Sequence, residues 1–419
     1  MLSRREMLGL LGAASVAPPT AWSAENRRKE LQPTKPLRVR TITAGIELAN
    51  VTQLDRIDAA IALLKQGRSL FADAGYEVQT VRIATQPLLA GLDAAGRDRI
   101  LSDLQKIDRL LSESGTIMSI GPLLTHDRYD AGLAAWSSEL VRTTRSISFS
   151  TVIADSAGIH EKSATTAAEI MAALAVALPD GIGNFRFAAA ANIPAGTPFF
   201  PVAWHQGAQS VALGIESASV VEDAFVREPD KSRAGDALRE LLSQVLAPIE
   251  RLGQEFARRS GCVYLGIDSS PAPLKDRSIA AAIEAFTHTP FGTASTLQAC
   301  SIITAAIKSL SVKTCGYSGL MLPVLEDPLL AQRAGEGRYG IRDLLLYSSV
   351  CGTGLDVVPI PGDTPIATIS GLLRDVAALS VRLNKPLSAR LFLVPGKKAG
   401  DTVRFDDPIL TDSVILKLD

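Results

Sequence analysis

Several things are scarce in this 419-residue sequence. It has four histidines and four cysteines, and aromatic residues make up 5%. The cysteines, Cys262, Cys300, Cys315 and Cys351, have neither metal-ligand spacing nor the density of a disulfide framework. Cys262 and Cys300 stand among apolar residues and are expected to be buried thiols. Formal net charge is −1, and no basic run is interleaved with aromatics, which excludes a nucleic-acid-binding surface of the usual kind. No G-x-G-x-x-G follows the first strand-like segment, and there is no Walker loop, H-E-x-x-H, C-x-x-C or G-x-S-x-G. Familiar dinucleotide, nucleotide, zinc-protease and serine-hydrolase chemistries therefore have no sequence support.

Apolar residues are plentiful, at 47%, and charged residues are ordinary, at 21%, so a large core can be buried. The amino terminus differs from the rest. Arg4-Arg5-Glu6-Met7-Leu8 precedes a weakly apolar stretch from Gly9 to Ala17, the layout of a twin-arginine export signal with cleavage after Ser23 or Ala24. Residues 1–24 read as that signal, 25–36 as a linker, and 37–419 as one domain. The expected location is the periplasm, with an uncleaved signal retained at the membrane as the alternative. The export machinery would be a partner.

Beyond residue 36, strand-length apolar runs alternate with amphipathic helical ones, which points to an α/β architecture. Strands are expected at Leu37–Ala44, Glu77–Ala84, Thr116–Ile120, Ile147–Ala154, Asn184–Ala191, Ser210–Ile215 and Val263–Ile267. Others are expected at Leu320–Val324, Leu355–Pro359, Ala389–Val394 and Ser413–Leu418. The first helix carries Leu54, Ile57, Ile61 and Leu64 on one face and stops near Gly75. A second would open on a capping box, Thr166 to Glu169, and a long one would span Glu222–Arg259. Periodicity alone leaves a closed barrel and a large open sheet as alternatives.

Two mid-strand arginines stand out. Arg40 shares a face with Ile42 and Ala44 by parity, and Arg82 with Thr80 and Ala84. A buried guanidinium needs a carboxylate, a carbonyl or a ligand anion, so each serves a structural ion pair or an anion clamp. Candidate acids, bases or metal ligands are His205, in a Gly- and Pro-bracketed loop, Asp268, at a strand end, and Asp363, before a helix start at Thr364-Pro365. Glu326 joins His205, Asp268 and Asp363 as a candidate divalent-metal ligand. Ser318, in Gly316-Tyr-Ser318-Gly319, and Thr364 are candidate substrate contacts.

Taken together, Val39-Arg40-Thr41-Ile42-Thr43-Ala44-Gly45-Ile46, Arg82-Ile-Ala-Thr-Gln-Pro87, His205-Gln-Gly207, Gly266-Ile-Asp268, Gly316-Tyr-Ser318-Gly319, Pro323-Val-Leu-Glu326-Asp327, Gly354-Leu-Asp356 and Ile360-Pro-Gly-Asp-Thr-Pro365 resemble the domain-of-unknown-function 711 family. The resemblance implies a ten-stranded α/β barrel similar to pyruvate formate-lyase. It implies no glycyl radical, because the Arg-Val-x-Gly-like motif of radical enzymes is missing between Gly396 and Asp419. Cys351 stands where relatives tend to carry cysteine, which makes it the thiol to test. The expected function is an enzyme acting on a small anionic, amino-acid-like or carboxylate metabolite. The alternative is a non-catalytic periplasmic ligand-binding protein. Homo-oligomerisation is open.

Overall fold

The computed structural model describes residues 33–418; the export-signal stretch and most of the linker lie outside them. Parallel strands β1 (Arg38–Ile46), β2 (Val78–Thr85), β3 (Thr116–Pro122), β4 (Ile147–Asp155) and β6 (Phe187–Ala191) form the middle of the sheet. Parallel neighbours cannot be joined by a tight turn. Helices Leu54–Asp73, Ala94–Ser114, Gly132–Thr143 and Glu161–Ala177 supply the crossovers. The first turns Ile57, Ile61, Leu64 and Phe71 toward the sheet, at helical spacing. The second opens on Asp93, whose side chain accepts the Gly96 N–H, and closes on Gly115 in the left-handed region at φ 64°.

The sheet is extended on both sides by strands running the other way. β7 (Ser210–Glu216) is antiparallel to β1 and carries β8 (Val263–Asp268) in parallel. β10 (Leu387–Val394) is antiparallel to β6 and carries β9 (Gly354–Pro361) in parallel. With the short β5 (Gly158–Ile159) on β4, the sheet has ten strands. The fold is mixed α/β, and its ladder is open between β8 and β9.

The segment expected as strand Leu320–Val324 lies at that opening and is irregular. Residues 313–324 make isolated bridges only, Thr314 to Ile267 of β8 and Pro323 to Asp356 of β9. Ser318 sits at φ 41°, and the backbones of Gly319 and Gly352 touch so closely that neither has room for a Cβ. Such geometry cannot continue a ladder.

Other expectations shift for local reasons. The Glu222–Arg259 helix is two, Ala218–Arg227 and Ala234–Arg259, because Pro229 forces Glu228 into an extended conformation. Helix Glu161–Ala177 begins a turn before Thr166, whose hydroxyl instead accepts the Asp130 N–H. Residues 184–186 belong to a 3-10 turn, Pro179–Arg186, and strand pairing starts at Phe187. Ser413–Leu418 is a strand only at Ser413–Val414. Helices Gly132–Thr143 and Pro328–Gly335 were not anticipated. Among the described residues, no helix is long and apolar enough to cross a membrane.

Candidate functional site

A cavity of about 560 Å³ is lined by residues of β1, β2, β6, β9 and β10, by the loop 199–202 and by the end of helix Gly132–Thr143. Arg40 reaches it through an irregularity. The register between β1 and β7 shifts between Val39 and Thr41, a bulge that places an extra residue in β1. Ile42 lies within reach of helix Leu54–Asp73 at Gly67, while Thr43 donates to the Pro198 carbonyl on the other face. Arg40 therefore lines the cavity and does not share a face with Ile42, as parity had suggested. Arg82, on β2, lines the same cavity, so the two guanidiniums do meet one space.

Their surroundings differ. Arg40 Nη2 lies 3.0 Å from Glu326 Oε2, and Arg390 Nη2 of β10 lies 2.9 Å from Glu326 Oε1. Arg390 Nε donates to Asp356 Oδ1 at 2.8 Å and stacks over Phe185. Glu326 thus ties β1 to β10 across the interior. Burial pushes the Asp356 carboxyl above the usual carboxylate range and Glu326 adds to the push, while Arg390 opposes it.

Arg82 has no carboxylate partner among the described residues. It is 7% exposed, its Nε donates to Thr80 Oγ1 at 3.1 Å, and it stacks over Phe200 at 4.9 Å. Burial and the neighbouring Arg40 push its pKa down to about 9. Arg186, before β6, is in the same condition. Its Nη1 donates to the Thr144 carbonyl at 2.7 Å, while Nε and Nη2 are buried without partners. Burial lowers it to about 10. Four guanidiniums, Arg40, Arg82, Arg186 and Arg390, face two carboxylates, Glu326 and Asp356, and with Arg142, Arg145 and Asp407 the whole lining carries six arginines to three carboxylates. Arg142 and Arg145 stand exposed among the lining residues, and Asp407 is half-buried there.

Hydroxyls complete the wall. Tyr317 donates to Ser388 Oγ at 2.7 Å, and Ser388 donates to the Thr353 carbonyl. The loop bearing Tyr317 is held from behind by buried Asp268, which accepts the N–H groups of Tyr317 at 2.7 Å and Ser318 at 2.9 Å. A side chain at Gly316 would collide with that carboxylate. Asp268 is thus spent on backbone, one layer away from the cavity.

Of the residues singled out by sequence, Arg40, Arg82 and Glu326 meet in the cavity. The others do not. His205 packs against Gly45, five residues beyond Arg40 along β1, or about 16 Å. Its Nδ1 pairs with Ser210 Oγ and its Nε2 with the Gly207 carbonyl, and burial lowers its pKa. Ser318 hydrogen-bonds the Cys315 carbonyl and Cys351 is buried in the helix-side core. Cys300 is buried and Cys262 only half-buried. Asp363 is exposed. Thr364 donates to the Pro361 carbonyl, and Pro365, expected as the first helical residue, is the N-cap of helix Ile366–Leu383. His205, Asp268, Glu326 and Asp363 are not gathered around one point. Among the described residues, no three His, Cys, Asp or Glu side chains are placed to hold a metal. The sequence reading missed Arg390, Asp356 and Arg186 as site residues. Arg390 carried the same mid-strand signal as Arg82.

The family described as Uncharacterised ACR (DUF711) matches residues 31–406. A UPF0210 protein of Desulforudis audaxviator is 28% identical over 400 residues, covering 88% of each chain. One from Pyrobaculum islandicum is 32% identical over 350 residues, covering 78% of this chain and 76% of its own. One from Methanopyrus kandleri is 28% identical over 396 residues. A match of this extent, together with relatives aligned over most of their own length, makes the chain a member of the DUF711 family.

Proposed function

We propose that this protein is an enzyme acting on a small anionic metabolite bound in the arginine-lined cavity. One observation carries the reading: Arg82 is a buried guanidinium that opens on the cavity without a carboxylate. An uncompensated buried charge is costly, so a site that keeps one gains by binding an anion. Arg82 would hold the anion, with Arg40 beside it but partly neutralised by Glu326. Asp356 takes the acid–base role first assigned to His205, Asp268 and Asp363. It lines the cavity, and its raised pKa keeps a proton available nearer neutrality. The segment 313–324, bridged to both β8 and β9, would complete a pyruvate formate-lyase-like barrel around the ligand. We also propose export by the twin-arginine route, on the strength of Arg4-Arg5 and the weak apolar run behind them.

The test is thermal stability in millimolar phosphate or small carboxylates. The wild type should be stabilised by mass action, and Arg82→Ala should not. Equal stabilisation of both would refute the site.

A further inference from the structure

Arg82 and Arg186 are each anchored by their own neighbours and not by one another. Arg82 is fixed by Thr80 and Phe200, and Arg186 by Thr144. Each keeps unused donors. Arg186 Nε and Nη2 are buried and unpartnered, and among the described residues Arg82 bonds through Nε to Thr80 and Nη1 to the Pro198 carbonyl but not through Nη2.

The sheet sets how far apart their backbones stand. β2 and β6 are separated by β3 and β4, so three strand steps, about 14 Å of sheet, lie between them. The register adds an offset. Arg82 pairs with Ile117, Met118 with Ile147, and Phe149 with Phe187, so Arg186 lies level with Ser148, two residues beyond the level of Arg82. That is about 7 Å along the strands. Apolar side chains of Phe185, Phe199, Phe200, Val202 and Ile182 line the same cavity. Its volume suits a drug-sized molecule better than a single small ion.

We infer that the cavity takes a ligand with two separated anionic groups, carboxylate or phosphoryl, joined by an apolar segment: one end on Arg82, the other on Arg186. This deepens the proposed function and rests on its reading of Arg82 as an anion site. The excess of guanidiniums over carboxylates in the lining suits a ligand with more than one negative charge. The exposed Arg142 and Arg145 add positive charge for its approach.

The experiment is calorimetric titration of the full chain with two series, the dicarboxylates from succinate to suberate and the monocarboxylates from butyrate to octanoate. One dicarboxylate length should bind at least about tenfold tighter than its monocarboxylate partner, a difference of about 1.4 kcal/mol. Arg186→Gln should erase that advantage and leave monocarboxylate binding in place, while Arg82→Gln should weaken both series. Arg186→Lys, which keeps the charge, should restore part of the advantage, and circular-dichroism melts confirm folding of each variant. A phosphonoalkanoate that outbinds the dicarboxylate of equal length would assign a phosphoryl end. If dicarboxylates bind no tighter than monocarboxylates, the two-ended ligand is wrong and the single-anion site stands. If neither series nor inorganic phosphate binds, the anion site itself falls.

Discussion

Removing Glu326 tests the charge arrangement directly. Its two oxygens neutralise Arg40 and Arg390, at 3.0 and 2.9 Å, and all three side chains are buried. Deleting one partner of a buried ion pair costs about 3–5 kcal/mol, because the charges left behind stay desolvated. Unfolding entropy near 2.1 cal/mol/K per residue gives about 0.8 kcal/mol per degree for a chain of this size. Glu326→Ala should therefore lower the melting temperature by about 4–6 °C in differential scanning calorimetry. The truncation also leaves room for a small carboxylate beside Arg40, then without a carboxylate, and Arg390, which keeps Asp356, so acetate should partly replace what was lost. At a hundred times its dissociation constant it would return about 2.7 kcal/mol, or about 3 °C, and more than it adds to the wild type. Two results would refute the reasoning: a loss below about 1 °C, or equal acetate dependence in mutant and wild type. Either would mean that water, not Glu326, compensates these arginines.

Arg40 meets Glu326 through one nitrogen only, so Arg40→Lys should keep the ion pair and cost little stability, read by the same calorimetry. Asp363 is exposed and outside the cavity, so Asp363→Asn should leave both melting temperature and anion-dependent stabilisation unchanged. Burial holds the folded-state pKa of His205 below the ordinary value of 6.5, so its contribution to stability is complete above that value and declines as the pH falls below it. His205→Gln should flatten the acid limb of a melting-temperature profile. Ala188→Leu places bulk in the cavity and should abolish anion-dependent stabilisation in a protein that still folds. Arg4→Lys with Arg5→Lys should leave precursor in the cytoplasm, and an unchanged periplasmic yield on fractionation would sink the twin-arginine reading.

Most strands could be read from the sequence because their apolar runs are bounded by glycine, proline or charge. β1, β2 and β4 each begin within a residue of expectation. The bulge at Arg40 could not be read, because one inserted residue changes parity without changing composition. The cavity was half legible for a related reason. Mid-strand arginines mark it, and Arg390 obeys the rule that picked out Arg40 and Arg82. Arg186 fell inside the expected strand Asn184–Ala191 and was passed over, although it stands on a 3-10 turn just before that strand begins. Motif-like loops misled in the opposite direction. Asp268 and Ser318 bind loop backbone, where a carboxylate and a hydroxyl satisfy buried N–H and carbonyl groups as their chief task. No spacing rule separates that use from catalysis.

The opening between β8 and β9 bears on how the protein avoids its own kind. Each of these strands has an outer edge that could template pairing with another chain, and the irregular segment 313–324 lies across both. It holds them with few backbone bonds, among them Cys315 N–H to the Ile267 carbonyl and Val324 N–H to the Asp356 carbonyl. The seam is therefore where amide hydrogen exchange should report the earliest opening. A substitution at Gly319 or Gly352, where the two backbones touch, would uncover both edges at once. Its first symptom should be concentration-dependent aggregation at temperatures where the helices are still intact.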